Sequence, residues 1–84
     1  MTEIRDLVEY LTKALVENTD QVEVEESVGA TSILIDIRVA REDVGRVIGR
    51  QGRHINAMRT LAHVLGAKSG KRVSVEVVEG EASE

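Results

Sequence analysis

Near the middle of the chain stand the residues Val47-Ile48-Gly49-Arg50-Gln51-Gly52-Arg53-His54-Ile55. Their types and spacing suit the binding of a phosphate. Two glycines bracket two polar residues; a short apolar helical pattern ends at Gly49 and a longer one begins just after Gly52. Glycine lets a backbone approach a ligand without a Cβ in the way, and the first-turn N–H groups of a helix lack intrahelical acceptors. Gly49 is expected to end the first helix in a left-handed conformation, and Gly52 to let a sugar-phosphate pass. Arg50, Arg53 and Arg46 then add charge at the rim, with His54 beside them. Such contacts set affinity and salt dependence rather than sequence choice.

The charge pattern agrees. Residues 38 to 72 hold nine Lys/Arg and two Asp/Glu, whereas residues 1 to 37 hold two basic and nine acidic residues. The formal net charge of −4 therefore hides a basic block, an asymmetry that can mark a nucleic-acid surface. The 84 residues suffice for one domain with a small core. The absence of Cys excludes disulfides and thiolate metal sites and makes a cytoplasmic location the expectation. No apolar run approaches the roughly 18 residues of a membrane span, and the acidic, mixed start is unlike a signal peptide.

The elements that position the loop follow from periodicity. Residues 3 to 17 read as an amphipathic helix, with Ile4, Leu7, Val8, Leu11 and Leu15 on one side and Thr2 as N-cap. Residues 21 to 28 and 31 to 39 read as strands, the second with Ile33, Ile35, Ile37 and Val39 on one face. Residues 41 to 48 predict a short helix carrying Val44, Val47 and Ile48. Residues 53 to 65 predict a longer one carrying Ile55, Met58, Leu61, Ala62 and Leu65, stopped by Gly66. Residues 72 to 78 alternate again, and 79 to 84 form a polar, acidic tail expected to be disordered. The order is α-β-β-α-α-β. This predicts a two-layer α+β domain over residues 1 to 78, a three-stranded sheet with three helices on one face and acidic residues on the other.

With motif and order in view, the chain resembles a KH domain of the type II, prokaryotic topology. The family signature is an apolar pair, Gly-x-x-Gly, a basic residue and an Ile, matched here by Val47-Ile48-Gly49-Arg50-Gln51-Gly52-Arg53-His54-Ile55. The segment Asp43-Val44-Gly45-Arg46 also fits. The match spans nearly the whole chain, as in the small stand-alone bacterial KH proteins of the KhpA type. The resemblance implies an RNA-binding module whose loop clamps a single-stranded backbone of about four nucleotides. It also implies a role as an RNA chaperone or post-transcriptional regulator. By the same resemblance, Val44, Val47, Ile48 and Ile55 would border a groove for the bases, with Ile37 and Val39 at its edge. The family further implies self-association, or pairing with a longer KH-containing protein.

The lone aromatic, Tyr10, lies in no strand. Sheet-surface recognition needs aromatic platforms, so nucleic acid is expected at the helical edge instead. Ala57, Leu61 and Val64 form an apolar stripe off the main buried arc and are a candidate dimer face. The remaining features exclude more than they suggest. His54 and His63, nine residues apart, fall on opposite sides of a helix, which argues against a shared metal. Ser69-Gly70-Lys71-Arg72 is not a P-loop, because Leu65 stands where its first glycine is required. No nucleophile–base constellation emerges, so no enzyme activity, cofactor or small-molecule substrate is expected. Gly45 serves either close helix packing or ligand approach, and His54 either packing or ligand contact. A protein-interaction adaptor that dimerises through its helices, with incidental RNA affinity, is the alternative; duplex DNA binding through helix–turn–helix is a third reading.

Overall fold

The computed structural model describes residues 2–79. Six elements follow the expected order: α1 (Glu3–Leu15), β1 (Glu23–Val28), β2 (Ser32–Val39), α2 (Val44–Ile48), α3 (Arg53–Lys68) and β3 (Arg72–Glu79). Short 3₁₀ turns at Thr19–Gln21, Arg41–Asp43 and Arg50–Gly52 join them. The strand order is β1-β2-β3; β1 runs antiparallel to β2, and β3 runs parallel to it. A parallel pair needs a crossover, and α2 with α3 supplies it. The Gly49–Gly52 loop is therefore the hinge of that crossover.

Alternation in the strands put the core where it was expected. Ile33, Ile35, Ile37 and Val39 of β2 are buried with Val24, Val73 and Val75, and Ile4, Val8, Val47, Ile55, Met58 and Ala62 close over them from the helices. Each fully buried Ile or Val contributes about 2 kcal/mol of transfer free energy. The opposite face of the sheet is wet. There the register sets Glu25, Asp36 and Glu76 side by side across all three strands. Like charges directly opposite destabilise a sheet and repel a polyanion.

The outer strands are tied to the helices through their free carbonyls. Arg5 Nε of α1 donates to Val24 O of β1 (3.0 Å), and Arg59 Nε of α3 donates to Val75 O of β3 (3.2 Å). His63 Nε2 lies 3.0 Å from Val73 O. These bonds occupy acceptors that an edge strand otherwise offers to another chain.

Several boundaries differ from expectation. Thr2 caps α1 by accepting from Arg5 N (3.0 Å), as expected, but the helix ends at Leu15 rather than 17. The cause is distant in sequence: the amides of Glu17 and Asn18 donate to the carboxylate of Asp43 and draw the chain out of the helix. β1 starts at Glu23 because 19–21 form a 3₁₀ turn. Gly66 does not stop α3, which runs on to Lys68. Gly66 is buried, and a Cβ there would lie 2.4 Å from Val73 Cγ2; the left-handed residue beyond the helix is Gly70 (φ 72°). Leu61 is exposed and Leu65 half-buried, leaving Ile55, Met58, Ala62 and Gly66 as the buried arc of α3. Glu79, placed in the tail by its polarity, pairs with Val39; 80–84 lie outside the described residues.

Candidate nucleic-acid interface

Helix α2 is only one turn long and could not persist without support. The support is Asp43. Its carboxylate has no exposed surface and accepts from Asn18 Nδ2 (2.9 Å), Asn18 N (3.0 Å), Glu17 N (3.2 Å) and Arg46 Nη1 (2.9 Å). Desolvation works to raise its pKa, but these bonds outweigh it and hold the carboxyl below its ordinary value. The sequence marks Asp43 only as the first residue of the segment Asp43-Val44-Gly45-Arg46. Besides Arg46 in the next turn, its partners lie 25 and 26 residues away.

From this anchor the chain passes through α2 to the glycine loop. Gly49 has φ 78° and ψ 168°, so it is extended with positive φ rather than left-handed helical as expected. Only glycine adopts that combination readily. A second constraint was invisible in the sequence: a Cβ on Gly49 would lie 2.6 Å from His54 Cγ. Gln51 (φ 57°, ψ 26°) and Gly52 (φ 76°, ψ 17°) are both left-handed, and a Cβ on Gly52 would make only ordinary contact, with Asn56 Nδ2 at 3.5 Å.

Not every amide in the hairpin is available. Gly49 N donates to Gly45 O (2.9 Å), Gly52 N to Gly49 O (3.0 Å), and Arg53 N to Arg50 O. Among the described residues, no acceptor meets the N–H groups of Arg50 and Gln51. The expectation of open amides across 49 to 53 thus narrows to two in the hairpin, next to the N-terminal turn of α3. That turn carries the positive end of the helix dipole. The side chains of Arg50, Gln51 and Arg53 are exposed, and Arg50 and Arg53 make no ion pair among the described residues.

The other candidates divide. Arg46 is half exposed but bonded to Asp43, with Glu17 Oε2 3.9 Å from Nη2, so part of its charge is already neutralised. His54 is exposed and its Nδ1 lies 2.7 Å from Arg46 O, so the ring is bonded back into the loop. Ile48 is exposed beside Gly49 and Val44 is half-buried. Val47 and Ile55 are buried, as are Ile37 and Val39. These four back the surface without lining it, because β2 is the central strand and all three helices pack on its inner face. Period-2 alternation identifies that face but not how completely it is covered. The aliphatic surface next to the loop is Ile48 with part of Val44. A Cβ on Gly45 would meet nothing within 4 Å, so close helix packing does not account for that glycine.

Farther along α3, Ala57, Leu61 and Val64 are all exposed, the last two at 45% and 63%. A shallow apolar groove of about 210 Å³ runs between α1 and α3, lined by Leu11, Leu15, His54, Ala57, Met58 and Leu61 among others. Among the described residues no group of His, Cys, Asp and Glu could hold a metal ion, and no helix is long and apolar enough to cross a membrane.

Comparison with known proteins agrees with this architecture. The family model of the KhpA/KhpB KH domain matches residues 5–77. The RNA-binding protein KhpA of Caldanaerobacter subterraneus subsp. tengcongensis is 51% identical over 73 residues, covering 87% of this chain and 97% of that protein. KhpA proteins of Aquifex aeolicus and Clostridium acetobutylicum are each 43% identical, over 79 and 75 residues, covering 94% and 89% of this chain and the whole of each relative. A one-turn helix, a glycine hairpin and a long helix, set as the crossover of a three-stranded mixed sheet and matched by that family over almost its full length, place this chain in the KhpA/KhpB family of KH domains.

Proposed function

We propose that the chain binds single-stranded RNA through the Gly49–Gly52 hairpin and acts as a cytoplasmic RNA chaperone or post-transcriptional regulator rather than an enzyme. One observation carries the reading: the amides of Arg50 and Gln51, which meet no acceptor among the described residues, stand beside the exposed side chains of Arg50 and Arg53 at the N-terminal end of α3. Two N–H donors, the helix dipole and two guanidinium groups all favour an anion at one point. The relatives' designation as RNA-binding proteins supports a polynucleotide as that anion. Arg50 and Arg53 meet phosphates, Gln51 approaches through its amide, and Arg46 adds a weaker field because Asp43 already holds it. Val47 and Ile55 keep the hairpin in place from below, and bases rest on Ile48 and Val44.

Replacing Arg50 and Gln51 together by Asp sets two carboxylates against the phosphates. RNA affinity is expected to fall at least fiftyfold while the circular dichroism spectrum stays unchanged. Unaltered affinity in that variant would remove the hairpin from the mechanism. Salt provides an independent check. With about three phosphates neutralised on a single strand, affinity falls roughly twentyfold between 50 and 200 mM salt.

The exposed stripe of Ala57, Leu61 and Val64 favours a second reading, in which the helical face joins two copies or pairs with a longer KH-containing protein, making the chain an adaptor. An apolar contact of that kind holds its strength as salt rises, unlike the hairpin.

A further inference from the structure

We propose that His54 is a positioning residue for RNA binding: its Nδ1–H clamps the last turn of α2 to the first turn of α3 and presets the Gly49–Gly52 hairpin, without itself touching the strand. The inference rests on the RNA reading above and adds to it a cause for the loop's shape.

A carbonyl oxygen only accepts, so the 2.7 Å contact between His54 Nδ1 and Arg46 O places the proton on Nδ1. The bond spans eight residues and closes a ring of chain around the hairpin. Arg46 O is one of the C-terminal carbonyls of α2 that no further helical turn can satisfy, so the imidazole takes the place of the missing turn. The ring also occupies the space that a Cβ on Gly49 would need, with His54 Cγ 2.6 Å from that position. The backbone of Gly49 and the imidazole thus exclude each other's alternatives. His54 also lines the apolar groove with Leu11, Leu15 and Met58.

The hairpin needs such a clamp. Gln51 is not a glycine yet holds φ 57°, which costs on the order of 1 kcal/mol and persists only where its surroundings enforce it. A five-residue helix cannot enforce it. With the ends of the loop held by Arg46 O and His54, the amides of Arg50 and Gln51, which meet no acceptor among the described residues, are oriented before any ligand arrives. Affinity gained in this way comes from lower ordering cost rather than from a new contact.

The test compares His54→Leu with His54→Asn. Leu fills much of the ring's volume but cannot donate; Asn carries an amide nitrogen near the position of Nδ1. Two readouts are taken on the full chain: hydrogen exchange of the Gly52 and Arg53 amides without RNA, and affinity for a ten-nucleotide uridine oligomer at fixed salt. His54→Leu is expected to speed exchange at both amides about fivefold and to weaken RNA binding about fivefold, with the salt slope unchanged. His54→Asn restores both to within about twofold of the native chain, which a purely space-filling role would not produce. Equal loss of affinity in both variants with exchange unaltered would show direct contact by the ring and overturn the proposal, as would no change in either variant. A native chain that binds no RNA removes the reading beneath the proposal, and the exchange measurement then still decides the clamp by itself.

Discussion

The two ends of α3 carry similar residues in opposite surroundings. At the N-terminal end, Gly52 takes positive φ (76°) beside Arg50 and Arg53; at the C-terminal end, Gly70 takes positive φ (72°) beside Lys68, Lys71 and Arg72. At the far turn, however, every amide from 69 to 72 is occupied. Ser69 N and Lys71 N donate to Gly66 O, Gly70 N to Ala67 O and Arg72 N to Thr31 O. Lys71 Nζ donates to Gly29 O, and Lys68 Nζ lies 3.3 Å from Glu3 Oε1. Basic side chains there meet the carbonyl end of the dipole and are absorbed by acceptors. At the near turn the same types meet the donor end, and among the described residues two amides, those of Arg50 and Gln51, meet no acceptor. Gly and Arg in a turn do not by themselves make an anion site; the direction of the adjoining helix decides.

The largest effect should come from reversing charge at one end and then the other. Arg50→Glu with Arg53→Glu is expected to weaken RNA binding about a hundredfold at physiological salt, and Lys68→Glu with Arg72→Glu no more than about threefold. Both doubles change net charge equally, so a general attraction to the polyanion would cost the same in each. The ends of a 16-residue helix lie about 24 Å apart, some three Debye lengths at 0.15 M salt, so neither pair should act for the other. Fluorescence anisotropy with one labelled oligomer settles it, and equal losses would erase the contrast.

A second difference lies in what each glycine is for. Gly66 stands where Val73 leaves no room, whereas Gly70 has nothing within 4 Å and needs only its φ. Gly66→Ala should therefore cost about 2 kcal/mol by overpacking, and Gly70→Ala about 1 kcal/mol by backbone strain. Urea denaturation gives both numbers. Gly70→Ala costing more than Gly66→Ala would contradict the close approach of α3 to β3.

What was legible in the sequence was whatever repeats or sits next to its partner. The alternation of Ile33, Ile35, Ile37 and Val39, the Thr2 cap and the glycine pair gave the element order and the loop. Residues whose meaning depends on a distant partner were read wrongly or thinly. Gly66 looked like a helix stop because glycine near the end of a pattern usually is one; its reason is Val73. Ile37 and Val39 could be given a face but not a depth. His54 was open between packing and ligand contact, because its bond to Arg46 O runs across a loop whose shape only the fold supplies. Asp43 shows the same limit most clearly, since its four bonds converge from α2 and from the chain after α1.

Asp43 also separates the two ends of α3 by their response to acid. The far turn is closed largely by main-chain bonds, which do not titrate. The near turn hangs from α2, and α2 hangs from a carboxylate. Because the folded pKa of Asp43 lies below its ordinary value of 3.8, the folded state binds its proton less readily than the unfolded chain does. Its stabilisation is therefore complete above that ordinary value and is lost as pH falls through the lower, folded one. Glu9, held down by Arg5 and then Lys13, loses its contribution in the same direction, so the native chain's acid profile mixes the two. Asp43→Asn separates them. It keeps the shape but removes the charge that Arg46 meets and places an amide against three N–H donors. The urea midpoint of the variant should lie below that of the native chain at neutral pH. The gap should narrow as pH drops below about 3.8, with the native curve falling toward the variant's. A gap of constant width across that range would mean that the carboxylate's charge does no more than an amide, and that the loop end is no more acid-sensitive than the far turn.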